Sequence, residues 1–366
     1  MGNCGLIQHN IFENTYGNLT MNNYFLRITA IMATCFLGSC STKTEYTHTE
    51  GFAQGTTYHI TFELKDAAKQ AEVVQEIVAE FNRLDQELSN YRNDSTIEKF
   101  NATLSTEPQE ISEEIVSLIE IARSVSVISQ GCYDLTIKPL FDLWGFKKDS
   151  FNLPSDEALQ ATRALVDMNK LETLDENHIR KTVADLTIDL SSIGQGYSVA
   201  RMVDILEAHG SKNYLVEIGG ELKVRGKKAN GDPWRIALEK PLPNERKLDK
   251  LVIFTAGEPM SLMASGSYRH YFDSDGKRYS HILDGRTGKP VAHNTVSVAV
   301  LHANPTIADA WSTALLCLGS EAGTKMANQH HIAALYIDQN GENFVETTTE
   351  AMKSIRGVDL EAANIH

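Results

Sequence analysis

The sequence predicts an α+β protein, a mostly antiparallel or mixed β-sheet core with packed helices. Three observations carry this. The second half is mostly short strand-like segments joined by tight turns such as Asn230-Gly231-Asp232 and Asp275-Gly276. Helical periodicity marks Ala71–Leu88 and Ser112–Gln130 in the first half. No G-x-G-x-x-G follows a strand and no G-x-x-x-x-G-K-[ST] occurs, so neither a Rossmann nor a P-loop nucleotide site is supported.

In chain order, residues 41–50 are polar and read as a tether. Tyr58–Leu64 alternates as a strand. Ala71–Leu88 has apolar residues at 73, 74, 77, 78, 81, 84 and 88, which is helical spacing. Ser112–Gln130 is a second helix, stopped by Gly131. Ser155–Lys170 reads as helical after Pro154. Ala184–Leu190 alternates as a strand, and Gly196–His209 is a helix ended by Gly210. Strands follow at Tyr214–Val224, Trp234–Glu239, Leu251–Thr255, Ser261–Ser265, Arg278–Leu283, Thr295–Leu301 and Ala333–Ile337. Between the last two, Asn304 and Pro305 open a helix as N-cap and first residue, and Gly319 stops it.

The chain carries 48 Asp and Glu against 34 Lys and Arg, a formal charge of -14. Phosphate neutralisation needs a basic face, so a general nucleic-acid binder is excluded. No stretch reaches the roughly 18–20 uncharged residues of a spanning helix, so neither is this a polytopic membrane protein. The acidity is uneven. Residues 1–39 hold only Glu13 and Arg27, so the whole net charge belongs to residues 40–366. Arg27 precedes an uncharged apolar run from Ile28 to Ser39, which ends Leu37-Gly38-Ser39-Cys40. This has the form of a secretory signal followed by a bacterial lipobox. Cleavage before Cys40 and acylation of its thiol would anchor the chain by lipid. Met21 reads as the start of that signal, with 1–20 an upstream extension. Of five cysteines, only Cys132 and Cys317 then remain beyond the lipidated one. Two cysteines make no disulfide framework, and Cys317, in an apolar run, reads as a small core residue.

Several segments could carry chemistry. Asp309 and Thr313 lie one turn apart on one face of the helix that begins at Pro305. A carboxylate and a hydroxyl in that relation are hard oxygen ligands suited to Mg²⁺. The structural alternative is that Thr313 back-bonds to the Asp309 carbonyl while Asp309 serves the helix N-terminus. Spacing alone favours the structural alternative; the surrounding Ala and Leu raise the metal reading, because a buried carboxylate needs a partner. Asp189-Leu-Ser-Ser-Ile-Gly-Gln-Gly-Tyr197 is a small-residue turn into a helix, open to a ligand or simply a tight connection. His281 stands before the Asp284-Gly285 turn, near Arg286 and Arg269-His270. Such a cluster in an acidic chain either binds an anion such as phosphate or pairs with carboxylates. The aromatics of Gly131–Gly145 either stack on a planar ring or belong to the core. The two glycines of Glu217-Ile-Gly-Gly-Glu221 signal a bulge or a close approach.

Eight segments in order resemble the ApbE family of flavin transferases: G-T-T-Y from Gly55, L-S-x-Y-R-x-D-S from Leu88, the Tyr133–Phe146 block, D-L-S-x-I-x-x-G-Y from Asp189, I-G-G-E at 218–221, S-G-S-Y-R at 265–269, S-H-I-L-D-x-R-T-G at 280–288 and A-D-A-W-S-T-A at 308–314. The resemblance implies an ApbE-like, T-fold-like core over residues 51–366. It implies Mg²⁺-dependent transfer of FMN from FAD to a Thr or Ser hydroxyl of an acceptor protein, with release of AMP. By position in the motifs, Mg²⁺ would be held by Asp309, the Thr313 hydroxyl and the backbone carbonyl of Ser192. FAD would contact Gln54, Tyr91, Cys132, Tyr133, Asp134, Asp189, Gln195 and Leu283. His281, or else the carboxylate of Asp309, would deprotonate the acceptor hydroxyl. The acceptor would be a subunit of a membrane electron-transport complex. With the lipobox, the resemblance implies a lipoprotein of the bacterial cell envelope that faces the periplasm. Gln54 stands where the family often has Met, and Ser192 where it often has Ala. Gln195 replaces a frequent Lys, which removes a charge on the pyrophosphate side, while Tyr91 fits the transferase pattern. The competing readings are an FAD pyrophosphatase using the same site and a non-catalytic flavin-binding lipoprotein.

Overall fold

The computed structural model describes residues 46–146, 150–242, 248–268, 270–274 and 276–362. The export signal with Met21, the lipobox Cys40, Arg269 and Asp275 lie outside the described residues. The helices are α1 (Gln70–Leu88), α2 (Thr96–Ala102), α3 (Glu113–Ile128), α4 (Lys138–Trp144), α5 (Asp156–Arg163), α6 (Gly194–Ala208), α7 (Pro305–Gln329) and α8 (Glu350–Ser354). The strands are β1 (Tyr46–Ala53), β2 (Thr56–Glu63), β3 (Gln109–Glu110), β4 (Leu171–Thr173), β5 (His178–Lys181), β6 (Tyr214–Ile218), β7 (Glu221–Arg225), β8 (Trp234–Glu239), β9 (Leu248–Phe254), β10 (Met260–Gly266), β11 (Tyr271–Ser274), β12 (Lys277–Ser280), β13 (Leu283–Asp284), β14 (Lys289–Pro290), β15 (Thr295–His302), β16 (Ala333–Asn340), β17 (Asn343–Thr348) and β18 (Val358–Ala362).

Eight strands form the central sheet in the order β1-β2-β6-β7-β10-β15-β16-β17. Every pairing in it is antiparallel. Successive side chains of a strand point to opposite faces, and both faces are covered. Ile60, Val216, Met263 and Val300 face helices α1, α3, α6 and α7 in one large core. Leu222, Leu262, Leu301 and Leu335 face the small sheet β18-β9-β8 and helix α8 in a second core. A satellite cluster of Leu140, Trp144, Leu159 and Leu283 sits beneath α4 and α5. The α+β expectation holds, and the sheet resolves as antiparallel.

Local signals account for the helices. Ser112 and Ser155 cap α3 and α5 by accepting from Ile115 N and Ala158 N. Asn304 accepts from Ile307 N, and Pro305 follows at the first helical position of α7. Gly319 (φ 74°, ψ 171°) interrupts that helix where the sequence predicts a stop, and helical structure then resumes to Gln329.

Other expectations are corrected. Residues 46–50 belong to β1 and are not a tether. The helix after Ser155 ends at Arg163, with a separate 3-10 turn at Met168–Lys170. Tyr214–Val224 is a hairpin, because Gly219 and Gly220 (φ 58° and 94°) form the turn between β6 and β7. Arg278–Leu283 is split between β12 and β13. Residues 186–190 are extended and alternately buried but join no sheet. Their backbone bonds instead to two buried amides. Asn101 Oδ1 accepts from Ile188 N (2.7 Å), Asn90 Oδ1 accepts from Leu190 N (2.7 Å), and both amide nitrogens donate to the Ile188 carbonyl. Those clamps satisfy the buried backbone as a neighbouring strand would, and deliver Asp189–Gln195 to the start of α6.

Candidate active site

The site begins where α6 meets α7. Ile193, the residue before α6, provides no side-chain cap. Asp309, one turn into α7 and 4% exposed, fills that role. Its Oδ2 accepts from the Gly196 N–H at 2.7 Å. Only glycine permits this approach. A Cβ on residue 196 would lie 2.5 Å from the Pro305 carbonyl oxygen and 2.6 Å from the Asp309 Cβ. Burial pushes the Asp309 carboxyl up to about 7. The Gly196 N–H and the side chain of Glu221, the first residue of β7, whose buried carboxyl lies against that of Asp309, oppose that rise by hydrogen bonding. Desolvation, then the neighbouring Asp309 charge, raises Glu221 well above the usual carboxylate range.

Hydroxyl groups complete this wall. Those of Thr313 and Ser265 share a hydrogen bond at 3.0 Å, and Ser265 also meets Ser312 at 2.7 Å. Ser312 Oγ donates to the Asp309 carbonyl at 2.8 Å. The back-bond weighed for Thr313 is thus made by Ser312. Ser192 Oγ donates to the Tyr133 hydroxyl at 3.2 Å. Tyr133 is buried, and its hydroxyl is pushed strongly upward by desolvation and by the charges of Asp309, Asp134 and Asp189.

Beside this corner opens a cleft of about 510 Å³, lined among others by Gln54, Thr56, Tyr91, Leu190, Ser191 and Gln195. Its size suits a cofactor-sized ligand. Gln54 takes a left-handed backbone (φ 51°) in the β1–β2 turn. Tyr91 stands at the cleft 78% exposed. Gln195 Nε2 donates to the Ile218 carbonyl at 2.6 Å, so its amide is tied to the β6–β7 turn. Asp189 braces its own turn by accepting from the Ser191 N–H (2.8 Å) and hydroxyl.

The remaining predicted contacts serve the scaffold. Cys132 forms a disulfide with Cys317, 185 residues away, with Cα atoms 6.0 Å apart. Cys317 is buried in the large core as the sequence suggests, but it is bonded there and is not a free small residue. The bond ties the segment of Tyr133 to the helix of Asp309 and Thr313. Cys132 therefore offers no free thiol to a ligand. The Asp134 carboxylate is taken up by Thr136 N (2.7 Å), Thr136 Oγ1 (2.6 Å) and Met168 N (3.1 Å), and borders a separate cavity of about 300 Å³. Leu283 is buried in the satellite cluster. Arg286 pairs with Asp284 at 2.7 Å, which is the carboxylate-pairing alternative for that cation.

His281 Nδ1 lies 2.8 Å from the His270 carbonyl, to which it donates, leaving the Nε2 lone pair available. Desolvation holds its pKa down to about 4, so the ring is neutral at ordinary pH. The sequence reading missed Glu221, Ser265 and Gly196 as site residues. The only signal for Glu221 was an acidic residue directly after two glycines at the start of a strand.

The sequence profile of the ApbE family matches residues 54–336. The chain belongs to the ApbE family. It is 34% identical over 338 residues to the FAD:protein FMN transferase of Vibrio cholerae, covering 91% of this chain and 98% of that one. It is 33% identical to the FAD:protein FMN transferase of Escherichia coli K12 over 343 residues, 90% of this chain and 97% of the relative. Among solved structures, the apo form of the Pseudomonas stutzeri flavinyl transferase ApbE superposes with a TM-score of 0.78 at 37% identity, covering 86% of this chain and 98% of that one. Of the motifs, those of Gly55, Leu88 and Asp189 line the cleft, while those of Glu221, Ser265 and Asp309 meet at the α6–α7 corner.

Proposed function

We propose that this chain transfers FMN from FAD to a Thr or Ser hydroxyl of an acceptor protein, with Mg²⁺, and releases AMP. The observation that carries the reading is the buried Asp309–Glu221 pair beside the cleft. Two carboxyls in contact inside a protein demand a proton or a cation between them. Glu221 Oε2 is buried and, among the described residues, has no hydrogen-bond partner. That donor set fits a hard divalent ion. Asp309, the Thr313 hydroxyl and the Ser192 backbone carbonyl would hold it. A cation held there would neutralise the charge that develops on the departing phosphate.

The chain's own groups do the rest. The walls of the cleft, including Gln54, Tyr91 and Gln195, bind and orient FAD. His281 Nε2, neutral and fixed by its bond to the His270 carbonyl, accepts the proton of the acceptor hydroxyl as its oxygen bonds to the FMN-side phosphorus. The bond from that phosphorus to the bridging oxygen breaks, and AMP leaves with the electron pair. The lipobox at Cys40 supports a membrane-anchored protein of the cell envelope facing the periplasm, with an acceptor in a membrane electron-transport complex. The disulfide agrees with an oxidising compartment.

The test incubates the mature chain with FAD, Mg²⁺ and an acceptor subunit, read by in-gel flavin fluorescence. Labelling by the wild type and none by Asp309→Ala is expected. No labelling by either refutes the transferase reading, and AMP with free FMN in the absence of acceptor identifies a pyrophosphatase instead. Cys40→Ser should move the protein out of the membrane fraction; unchanged fractionation refutes the anchor.

A further inference from the structure

Glu221 is 7% exposed and opens β7 directly after a turn that only glycines adopt easily. Its position is therefore set by the hairpin register, in which it faces Ile218. Across from it, Asp309 is set by α7 and by the Gly196 N–H. Among the described residues, no Lys, Arg or His forms an ion pair with either carboxyl. A proton shared between the two would satisfy the oxygens that meet, and Gly196 satisfies Asp309 Oδ2. Glu221 Oε2 is buried and has no hydrogen-bond donor among the described residues, so either a proton shared with Asp309 or a ligand from outside the chain must satisfy it. The Ser265 and Thr313 hydroxyls lie on the same wall.

We propose that Glu221 is a further oxygen ligand of the divalent cation held by Asp309, Thr313 and Ser192, so that two buried carboxylates, not one, balance its charge. The inference rests on the cation-dependent reading above. It makes a distinction that reading does not. If Glu221 only holds Asp309 in place as a neutral hydrogen-bonding group, glutamine can replace it. If Oε2 ligates the ion, glutamine, which brings no negative charge, binds it more weakly.

The experiment uses the whole mature chain without FAD and Mn²⁺ as probe, with free Mn²⁺ counted by its paramagnetic resonance and Tm measured with and without the metal. Glu221→Gln should weaken Mn²⁺ binding by at least about tenfold, as losses around metal ligands do. The rise in Tm caused by Mn²⁺ should shrink with it, while the metal-free Tm stays level or increases because like charges no longer meet. Mn²⁺ affinity equal to wild type in Glu221→Gln overturns the proposal and leaves the Asp309 site standing, provided Asp309→Asn loses binding. If the wild type binds no Mn²⁺, both readings fall together. Should Glu221→Gln not fold, Glu221→Asp takes its place: weaker Mn²⁺ binding supports the role, and unchanged binding refutes it.

Discussion

Gly196→Ala tests the contact on which the site is built. The new Cβ would lie 2.5 Å from the Pro305 carbonyl oxygen and 2.6 Å from the Asp309 Cβ, so α6 and α7 must separate at their N-terminal ends. Overpacking of this kind costs about 1–3 kcal/mol. Losing the Gly196 N–H to Asp309 bond, with its charged acceptor, adds about 1.5–3 kcal/mol. Alanine returns about 1 kcal/mol through its helix propensity. The net is roughly 1.5–5 kcal/mol, and at about 2–4 °C per kcal/mol Tm should fall by roughly 3–20 °C. Flavin labelling, assayed well below the new Tm, should fall much further than the folded fraction, because Asp309 moves with α7. A Tm within a degree of wild type and full labelling would refute the claim that this glycine sets the geometry.

Removing the disulfide with Cys132→Ala and Cys317→Ala should cost about 2–5 kcal/mol, read as a Tm drop that dithiothreitol reproduces in the wild type only; no change on reduction would count against the bond. Thr313→Val removes one shared hydroxyl bond, so stability should fall by only about 0.5–1.5 kcal/mol while labelling drops at least tenfold; equal losses would mean a structural role. The carboxyl pair makes a signed prediction about pH. Asp309 is raised from 3.8 to about 7 in the folded chain, so between those values the folded state binds more protons than the unfolded one. Metal-free stability from this group is therefore full below about pH 4 and declines as pH rises to 7, while Mg²⁺ affinity increases over the same range. Tm against pH should diverge between EDTA and Mg²⁺; parallel curves would refute it. His281, lowered from 6.5 to about 4, contributes stability above pH 6.5 that is lost as pH falls towards 4.

Much of the framework was legible along the chain because its causes are local. Helix α1 presents Val73, Ile77, Phe81, Leu84 and Leu88 at helical spacing, and these are the residues it buries. Ser112 and Asn304 begin helices α3 and α7 by bonding to groups three residues away. Asp309 and Thr313 were legible as a pair for the same reason. Strand β17 was not, since its exposed Asn343–Thr348 pairs only as the last strand of the sheet and carries no apolar alternation.

By itself the sequence determined the α+β class, the helix starts, the one-turn spacing of Asp309 and Thr313, and the family's order of motifs. Only the tertiary structure decided what those residues meet. It placed the Asn90 and Asn101 amides where a neighbouring strand was expected beside Ile188. It joined Cys132 to Cys317, and it set Glu221 against Asp309. Caps and periodicity depend on neighbours within a turn or two. A buried carboxyl pair, an amide clamp and a disulfide depend on which distant segments the packed core brings together, and no local pattern encodes that.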